Sequence, residues 1–195
     1  VNDSTGRVCV AEGGLLGTQS LDDAITCLTG PELRSYFGTD VRGVGDVNLD
    51  GLDDILVLSE GDTGDRRSAY IVFGGTDSFT TVDRVDTLRL LADFRSIAYA
   101  GDFNNDGDPD LALGVVSSSS PYTGSGPVFV LYGPHTETGT IEFVSDDDAD
   151  LVLTLDDEQV PNAVLVGGND INNDGVDDLL LGSSTALFVV HGAGR

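Results

Sequence analysis

Apolar residues along this chain occur in short, strand-length runs, separated by turns rich in glycine and aspartate. Runs of this length that end at Gly or Ser are typical of buried strands rather than of helices. Three of these runs follow an acidic segment directly, and an apolar or alternating run also precedes each acidic segment. Those that follow are residues 55–58, 111–114 and 179–182; those that precede are residues 40–45, 96–101 and 163–167. The pattern predicts an all-β fold in which each acidic segment joins two strands.

The acidic segments are three copies of one nine-residue loop: loop 1 (residues 46–54), loop 2 (residues 102–110) and loop 3 (residues 170–178). Each copy has Asp at position 1, Asn at 3, Asp at 5, Gly at 6 and Asp at 9. Oxygen side chains on alternate residues of a tight loop can converge on one hard cation, and Ca²⁺ accepts six to eight oxygens at loosely defined angles. Glycine at position 6 permits the sharp turn, and position 7 would add its backbone carbonyl.

The loops therefore predict three Ca²⁺ sites, each with four side-chain ligands and one main-chain ligand. The expected ligands are Asp46, Asn48, Asp50, Leu52 and Asp54 in loop 1, Asp102, Asn104, Asp106, Asp108 and Asp110 in loop 2, and Asp170, Asn172, Asp174, Val176 and Asp178 in loop 3. The alternative is a polar hairpin turn without metal, which is disfavoured because it would crowd like charges together. An EF-hand is also disfavoured, because it needs a Glu at position 12 and flanking helices. Position 12 is apolar in every copy: Val57, Leu113 and Leu181.

A longer repeat surrounds each loop, with 56 residues from Asp46 to Asp102 and 68 from Asp102 to Asp170. After each strand–loop–strand unit comes a third predicted strand that ends in aromatic or apolar residues and Gly. The first two repeats then add a more polar, alternating stretch. The third strands are residues 69–75, 128–133 and 186–192; the polar stretches are residues 81–91 and residues 140–144, with residues 151–155 behind the latter. About four strands per unit, repeated radially, predict the blades of a β-propeller.

The unit that runs from Tyr36-Phe37-Gly38 through loop 1 to Tyr70-Ile71-Val72-Phe73-Gly74 resembles an FG-GAP repeat, the repeat of integrin α-subunit β-propellers and of many secreted bacterial proteins. The resemblance covers residues 34–192. It implies that each acidic loop joins the first two strands of a blade and that positions 1, 3, 5 and 9 bind calcium. Phe-Gly stands only at Phe37-Gly38, and the Gly-Ala-Pro of the family name is absent from every copy. Ligand recognition by the family's upper face is therefore not implied.

The chain divides into an N-terminal segment (residues 1–33), repeat 1 (34–91), repeat 2 (92–155) and an incomplete repeat 3 (156–195). Three repeats do not close a ring, because propellers usually have four to eight blades. Three alternatives stay open: the chain is a piece of a longer seven-bladed protein, two chains form a six-bladed ring, or residues 7–11 complete the third repeat and close the ring. In the last case residues 12–33 form part of a degenerate fourth blade, or a short helix with Ser20 as N-cap.

Composition limits the classes of partner. The chain has 34 acidic residues against 9 basic ones and a net charge of −25. That balance excludes nucleic-acid binding through a basic surface and disfavours anionic membranes. No apolar segment of about 18 residues occurs, so no membrane insertion is expected. Hydrophobic residues make up 39% of the chain and stand in strand-length runs, which favours a packed core over disorder.

Two cysteines, Cys9 and Cys27, lie outside the repeats. A disulfide between them is favoured over two buried free thiols and would indicate an oxidising compartment. Calcium loops of this kind work best where Ca²⁺ is abundant, which also indicates an extracellular or cell-surface protein.

No catalytic constellation stands out. His135 lies in a predicted turn, His191 lies near the end of a predicted strand, and no Gly-x-Ser-x-Gly elbow is present. We expect a non-enzymatic calcium-binding propeller that serves as an extracellular binding or adhesion surface for a protein or glycan. Its binding loops would be residues 60–67 and 117–127. The alternatives are an accessory propeller of a secreted enzyme that acts on polysaccharide, and a subunit of an extracellular assembly or filament whose self-association completes the ring.

Overall fold

The structure is a computed structural model. It describes residues 5–11, 26–31, 34–61, 67–75, 87–115, 126–143, 145–154, 164–182 and 186–194. Regular structure within these ranges is β throughout, apart from one turn of 3₁₀ helix at Asp146–Asp148. The prediction of an all-β chain is therefore confirmed for the part that the structure describes.

An N-terminal hairpin precedes the repeats. Strand β1 (Arg7–Val10) pairs antiparallel with β2 (Thr26–Thr29), and Cys9 lies directly opposite Cys27 and forms a disulfide with it. Two expectations fail here. β1 pairs with β2 and not with the third repeat, and residues 26–28 are a strand where a helix was one alternative. A cross-strand disulfide favours this local pairing because it holds the two strands in register. The expectations for residues 12–25 lie outside the described residues.

The first repeat forms an antiparallel sheet, the first sheet, from four consecutive strands. These are β3 (Phe37–Gly45), β4 (Asp54–Ser59), β5 (Ser68–Val72) and β6 (Thr87–Leu91). The hairpin lies against its outer face, where Leu28 packs with Phe37, Val57, Tyr70 and Val72. β4 is therefore buried on both faces of the sheet: Leu56 and Leu58 pack toward the second sheet, and Val57 packs against the hairpin.

The second repeat forms the second sheet, from β7 (Phe94–Gly101), β8 (Asp110–Val115), β9 (Val128–Leu131) and, after an intervening strand, β11 (Leu151–Leu153). The intervening strand, β10 (Gly139–Glu142), pairs in parallel with β6 of the first sheet. This placement differs from the expectation that residues 140–144 lie in the outer part of repeat 2. The next residue, Phe143, supplies a physical reason: it is buried between the two sheets, with ring centroids 5.8 Å from those of Phe94 and Phe129.

The third repeat forms a sheet of three strands in the described residues: β12 (Val164–Asn169), β13 (Asp178–Gly182) and β14 (Leu187–Val190). One hydrophobic cluster fills the space between the first and second sheets, and another fills the space between the second and third. The sheets thus pack face to face in chain order, as propeller blades do. They do not close a ring within the described residues, and the number of blades in an intact ring is not fixed by them.

The far face of the third sheet is apolar and exposed; we call it the open face. It includes Val166, Leu180, Leu187 and Val189, of which Leu187 is 68% and Val189 42% exposed. In the second sheet the residues at the same register positions are Ala98, Ala112, Val128 and Val130, and all four are buried against the third sheet. The open face therefore has the pattern of a surface that packs against a following blade.

Candidate metal-binding loops

Each acidic loop connects the first strand of its sheet to the second. Loop 1 joins β3 to β4, loop 2 joins β7 to β8, and loop 3 joins β12 to β13. The strand pairing continues to the loop boundary, where Gly45 pairs with Asp54, Gly101 with Asp110 and Asn169 with Asp178. The three loops therefore occupy the same place in three consecutive blades.

The backbone follows the same path in all three copies. Position 4 has a left-handed conformation, with φ of 63° at Leu49, 57° at Asn105 and 61° at Asn173. The glycine at position 6 also has positive φ, between 91° and 97°. Asn tolerates the left-handed region, whereas Leu is strained there. Loop 1 thus adopts this conformation in spite of its own residue at position 4.

Carboxylates at positions 1 and 5 are held by the amides of their own loop. In loop 1 the backbone N–H of Asp50 donates to Asp46 Oδ1 at 2.9 Å, and that of Gly51 donates to Asp46 Oδ2 at 2.8 Å. Asp50 in turn accepts bonds from the backbone N–H of Leu52 and from the side chain of Asn48, both at 2.9 Å. The same four bonds recur in loops 2 and 3 at 2.7–3.0 Å.

Position 9 is buried and ties each loop to the end of its third strand. Asp54 accepts one bond from the N–H of Val47 at 2.9 Å and another from the N–H of Gly74 at 2.7 Å. Asp110 and Asp178 are bound in the same way, to position 2 of their own loops and to the N–H of Gly133 and Gly192. Sequence reasoning expected a ligand at position 9 and missed this bridge, because the glycine partner lies 14 to 23 residues further along the chain.

The repeat is similar to a known family of protein repeats. Residues 46–113, which include loops 1 and 2, match the sequence profile described as FG-GAP-like repeat. The chain contains FG-GAP repeats. It is 31% identical over 173 residues to Integrin alpha-PS5 of Drosophila melanogaster. That alignment covers 82% of this chain but 16% of the relative, so the chain spans about a sixth of the relative's length.

The oxygens of each FG-GAP loop have the chemistry that Ca²⁺ prefers. Carboxylates at positions 1 and 5, an amide oxygen at position 3 and a carbonyl at position 7 all lie in one loop. Most of the side-chain oxygens already accept an N–H bond, and a carboxylate oxygen has a second lone pair for a cation. In the described part of the chain no three Asp, Glu, His or Cys side chains form a ready-made metal cluster. The fit to calcium therefore depends on the Asn and main-chain oxygens as well.

The position-9 carboxyls differ in their protonation equilibria. Burial raises the pKa of Asp54, against the opposing effect of hydrogen bonds from Gly74 and Val47. Burial likewise raises the pKa of Asp110, to about 6. Burial also acts on Asp178, but the bonds from Ile171, Gly192 and His191 outweigh it and lower the pKa. Loop 3 thus holds its position-9 carboxylate ionised more readily than the other two loops.

His191 accounts for part of that difference. Its Nδ1 atom lies 3.2 Å from Asp178 Oδ1 and 3.1 Å from the side-chain nitrogen of Asn172. The sequence predicted a strand-end residue, and the structure adds this contact with loop 3. No local sequence pattern signals this contact, because the bond between Gly192 and Asp178 that brings His191 to the loop exists only in the folded chain.

Neighbouring repeats are joined through the loops. The N–H of His135 donates to the carbonyl of Val47 in loop 1 at 2.7 Å, and the N–H of Ala193 donates to the carbonyl of Phe103 in loop 2 at 3.1 Å. Both donors lie just after the third strand of the following repeat. All three FG-GAP loops thus contact their own blade through position 9, and loops 1 and 2 also contact the next blade through position 2.

Other predicted features are only partly visible. In the proposed binding loops, residues 62–66 and 117–125 lie outside the described residues. Where the chain is described, no helix has the length and apolar character needed to cross a bilayer.

Proposed function

We propose that this chain is a non-catalytic, calcium-stabilised β-propeller module that presents a binding or adhesion surface outside the cell. One observation carries the proposal: three loops with the same acidic residues share one backbone path and one hydrogen-bond pattern, at the same junction of three consecutive sheets. A polar turn needs no such repetition of Asp, Asn and Asp. A repeated cation site does, because the ligand types and their spacing are set by the ion.

The contacts suggest how a cation would stabilise the fold. Positions 1, 3, 5, 7 and 9 would hold Ca²⁺, whose charge offsets the repulsion among the carboxylates of one loop. Position 9 transmits the loop conformation to the third strand, since Asp54 binds both Val47 and Gly74. Position 2 transmits it to the next blade, since Val47 accepts a bond from His135. The loops would therefore hold blades in register internally and with their neighbours.

Calorimetry of the intact chain with EDTA and with Ca²⁺ tests this role. Each site filled to 100 times its dissociation constant should add about 2.7 kcal/mol to the free energy of unfolding. Substitution of Asp50, Asp106 or Asp174 by Ala should remove one site each, and titration calorimetry should show the stoichiometry falling from three to two.

Asp147→Ala provides a matched control, because Asp147 is exposed and lies outside the loops. It removes the same charge and should leave both the stoichiometry and the calcium-dependent stabilisation unchanged. An equal melting temperature in EDTA and in Ca²⁺ would refute the structural role of the metal.

The extracellular setting is supported by the Cys9–Cys27 disulfide and by the similarity to an integrin α chain, since disulfides persist in oxidising compartments. Calcium affinity gives an independent measure. Extracellular modules bind Ca²⁺ with dissociation constants of about 10⁻⁴–10⁻³ M, whereas cytosolic buffers bind it at about 10⁻⁸ M or tighter. A dissociation constant in the cytosolic range would contradict the extracellular role. The ligand, by this proposal, is a protein or a glycan.

The open face favours a second candidate role, self-association through a second copy of the chain. Exposed apolar faces of this kind are uncommon on monomers. In the second sheet the corresponding positions are buried against the next blade, so the open face continues an interface that the fold already uses. Light scattering in Ca²⁺ should then give twice the chain mass. Val189→Glu should restore the monomer, whereas Val41→Glu on the exposed part of the first sheet should not. A monomer at high concentration would exclude this role.

A further inference from the structure

Asp177 belongs to loop 3 by sequence, but its side chain contacts loop 2. It occupies position 8 of loop 3, directly before the position-9 residue Asp178. Its Oδ2 atom accepts a hydrogen bond of 3.0 Å from the backbone N–H of Asp102, which is position 1 of loop 2. The carboxylate also lies against the Cα of Gly101, where a Cβ would collide with it. Gly101 has φ of 76°, so glycine suits this position both sterically and conformationally.

The other two loops lack an equivalent contact. Position 8 is Asp53 in loop 1 and Pro109 in loop 2. Asp53 is exposed, and its side chain makes no bond to another loop among the residues that the structure describes. The contact is specific to the boundary between the second and third repeats.

Asp102 is the residue through which this contact would affect loop 2. Its carboxylate accepts bonds from the N–H of Asp106 at 2.9 Å and of Gly107 at 3.0 Å, and these bonds set the loop conformation. The N–H bond to Asp177 fixes the backbone from which that carboxylate projects. Asp177 also adds negative charge close to loop 2. Burial is the largest cause of the raised pKa of Tyr99, and the negative charges of Asp177, Asp110 and Asp102 raise it further.

We propose that Asp177 is a positioning residue for the cation site of loop 2, supplied by the neighbouring repeat. The proposal rests on the proposed function, in which loop 2 binds Ca²⁺. It predicts that a substitution within loop 3 weakens binding in loop 2 and leaves binding in loop 3 nearly unchanged. It also makes the two repeats interdependent, because loop 2 has its full affinity only when the third repeat is packed against it.

A calcium titration followed by NMR can separate the three sites. The amide signals of Gly51, Gly107 and Gly175 each report one loop, because each N–H binds the position-1 carboxylate of that loop. In Asp177→Ala, the midpoint for Gly107 should rise about tenfold or more, the usual effect of removing a group that orients a metal ligand. The midpoints for Gly51 and Gly175 should change less than about twofold on the same reasoning.

Two further variants test whether the hydrogen bond of Asp177, its negative charge or its position in loop 3 causes the effect on loop 2. Asp177→Asn keeps an oxygen that accepts the Asp102 N–H, so its Gly107 midpoint should lie between those of the wild type and Asp177→Ala. It also serves as the test variant if the alanine variant does not fold. Asp53→Ala removes the same group from the equivalent position of loop 1 and should leave the Gly107 midpoint unchanged.

An unchanged Gly107 midpoint in Asp177→Ala, or a shift confined to Gly175, would overturn the proposal. Hydrogen exchange distinguishes this failure from failure of the proposed function. If no glycine signal of the wild type responds to Ca²⁺, the calcium role is refuted. The positioning of loop 2 is then read from the Asp102 amide in metal-free protein. Its exchange should accelerate in Asp177→Ala but not in Asp53→Ala, and unchanged exchange would overturn the positioning role as well.

Discussion

Leu49 gives a direct measure of the strain in loop 1. It is the position-4 residue, with φ of 63°, where the other two loops have Asn at φ of 57° and 61°. The left-handed conformation costs a residue with a Cβ about 1–2 kcal/mol, and Asn offsets part of this cost through local hydrogen bonds. Leu49→Asn should therefore relieve strain that the native loop retains.

Loss of burial opposes this gain and must be separated from it. Leu49 is 55% exposed, so about half of its side chain is in contact with the protein. Full burial of a leucine contributes about 2 kcal/mol, so the substitution forfeits up to about 1 kcal/mol. Leu52 supplies the control because it is 48% exposed and, unlike Leu49, does not have a positive φ. Leu52→Asn should lose the same burial and relieve no strain.

The quantity to measure is the difference between these two variants in free energy of unfolding. Urea unfolding in EDTA avoids any contribution from metal binding. Leu49→Asn should be more stable than Leu52→Asn by at most about 1–2 kcal/mol, since Asn removes only part of the cost, and the melting temperature should be higher by at most about 8 °C for a chain of this size. The converse substitution, Asn105→Leu, should destabilise the chain. Equal stability of the two Leu→Asn variants would show that the loop is not strained at position 4.

Three further predictions follow from contacts outside loop position 4. Replacement of Cys9 and Cys27 by Ser should lower the free energy of unfolding by about 3 kcal/mol, because the two cysteines are 18 residues apart and a disulfide that closes a loop of similar length contributes about this much. If urea unfolding shows a loss of less than about 1 kcal/mol, the disulfide does not stabilise the hairpin. Asp54→Asn should cost about 1–3 kcal/mol even in EDTA, because Asp54 accepts the N–H groups of Val47 and Gly74 on two different oxygens and an amide has only one acceptor oxygen. Unchanged stability would contradict the role given to position 9. Burial lowers the pKa of His135 below 6.5, so the unfolded chain takes up a proton at this residue first as the pH falls, and the contribution of His135 to stability should be full above pH 6.5 and decline below it. Compared with the wild type, His135→Gln should reduce the slope of stability against pH just below pH 6.5, and equal slopes would rule out the contribution.

Much of this architecture could be predicted from the sequence because it is recorded in local patterns. The three loops are recognisable since Asp, Asn, Asp and Gly recur at fixed spacing, and Gly at position 6 is where the structure requires positive φ. The flanking strands are recognisable since short apolar runs end at turn residues. Each of these signals depends on residues within about ten positions of one another, and backbone sterics fix what they can form.

The sequence did not predict which strands and sheets come together when they are far apart in the chain. β10 follows β9 in the chain but pairs with β6 of the first sheet, because Phe143 is buried between the sheets. The hairpin of β1 and β2 packs on the first sheet and does not complete the third. In both cases a buried residue in or beside the strand decides the pairing: Phe143 follows β10, and Leu28 lies in β2.

The sequence by itself determined where the three acidic loops lie, that strands flank each of them and how often the unit repeats, because these depend on side-chain chemistry and local backbone preference. Only the tertiary structure decided that Asp177 serves loop 2, that His191 reaches Asp178 and that the position-9 carboxylates hold distant glycines. A hydrogen bond depends on distances of about 3 Å between groups far apart in the chain. Those distances exist only after the sheets have packed.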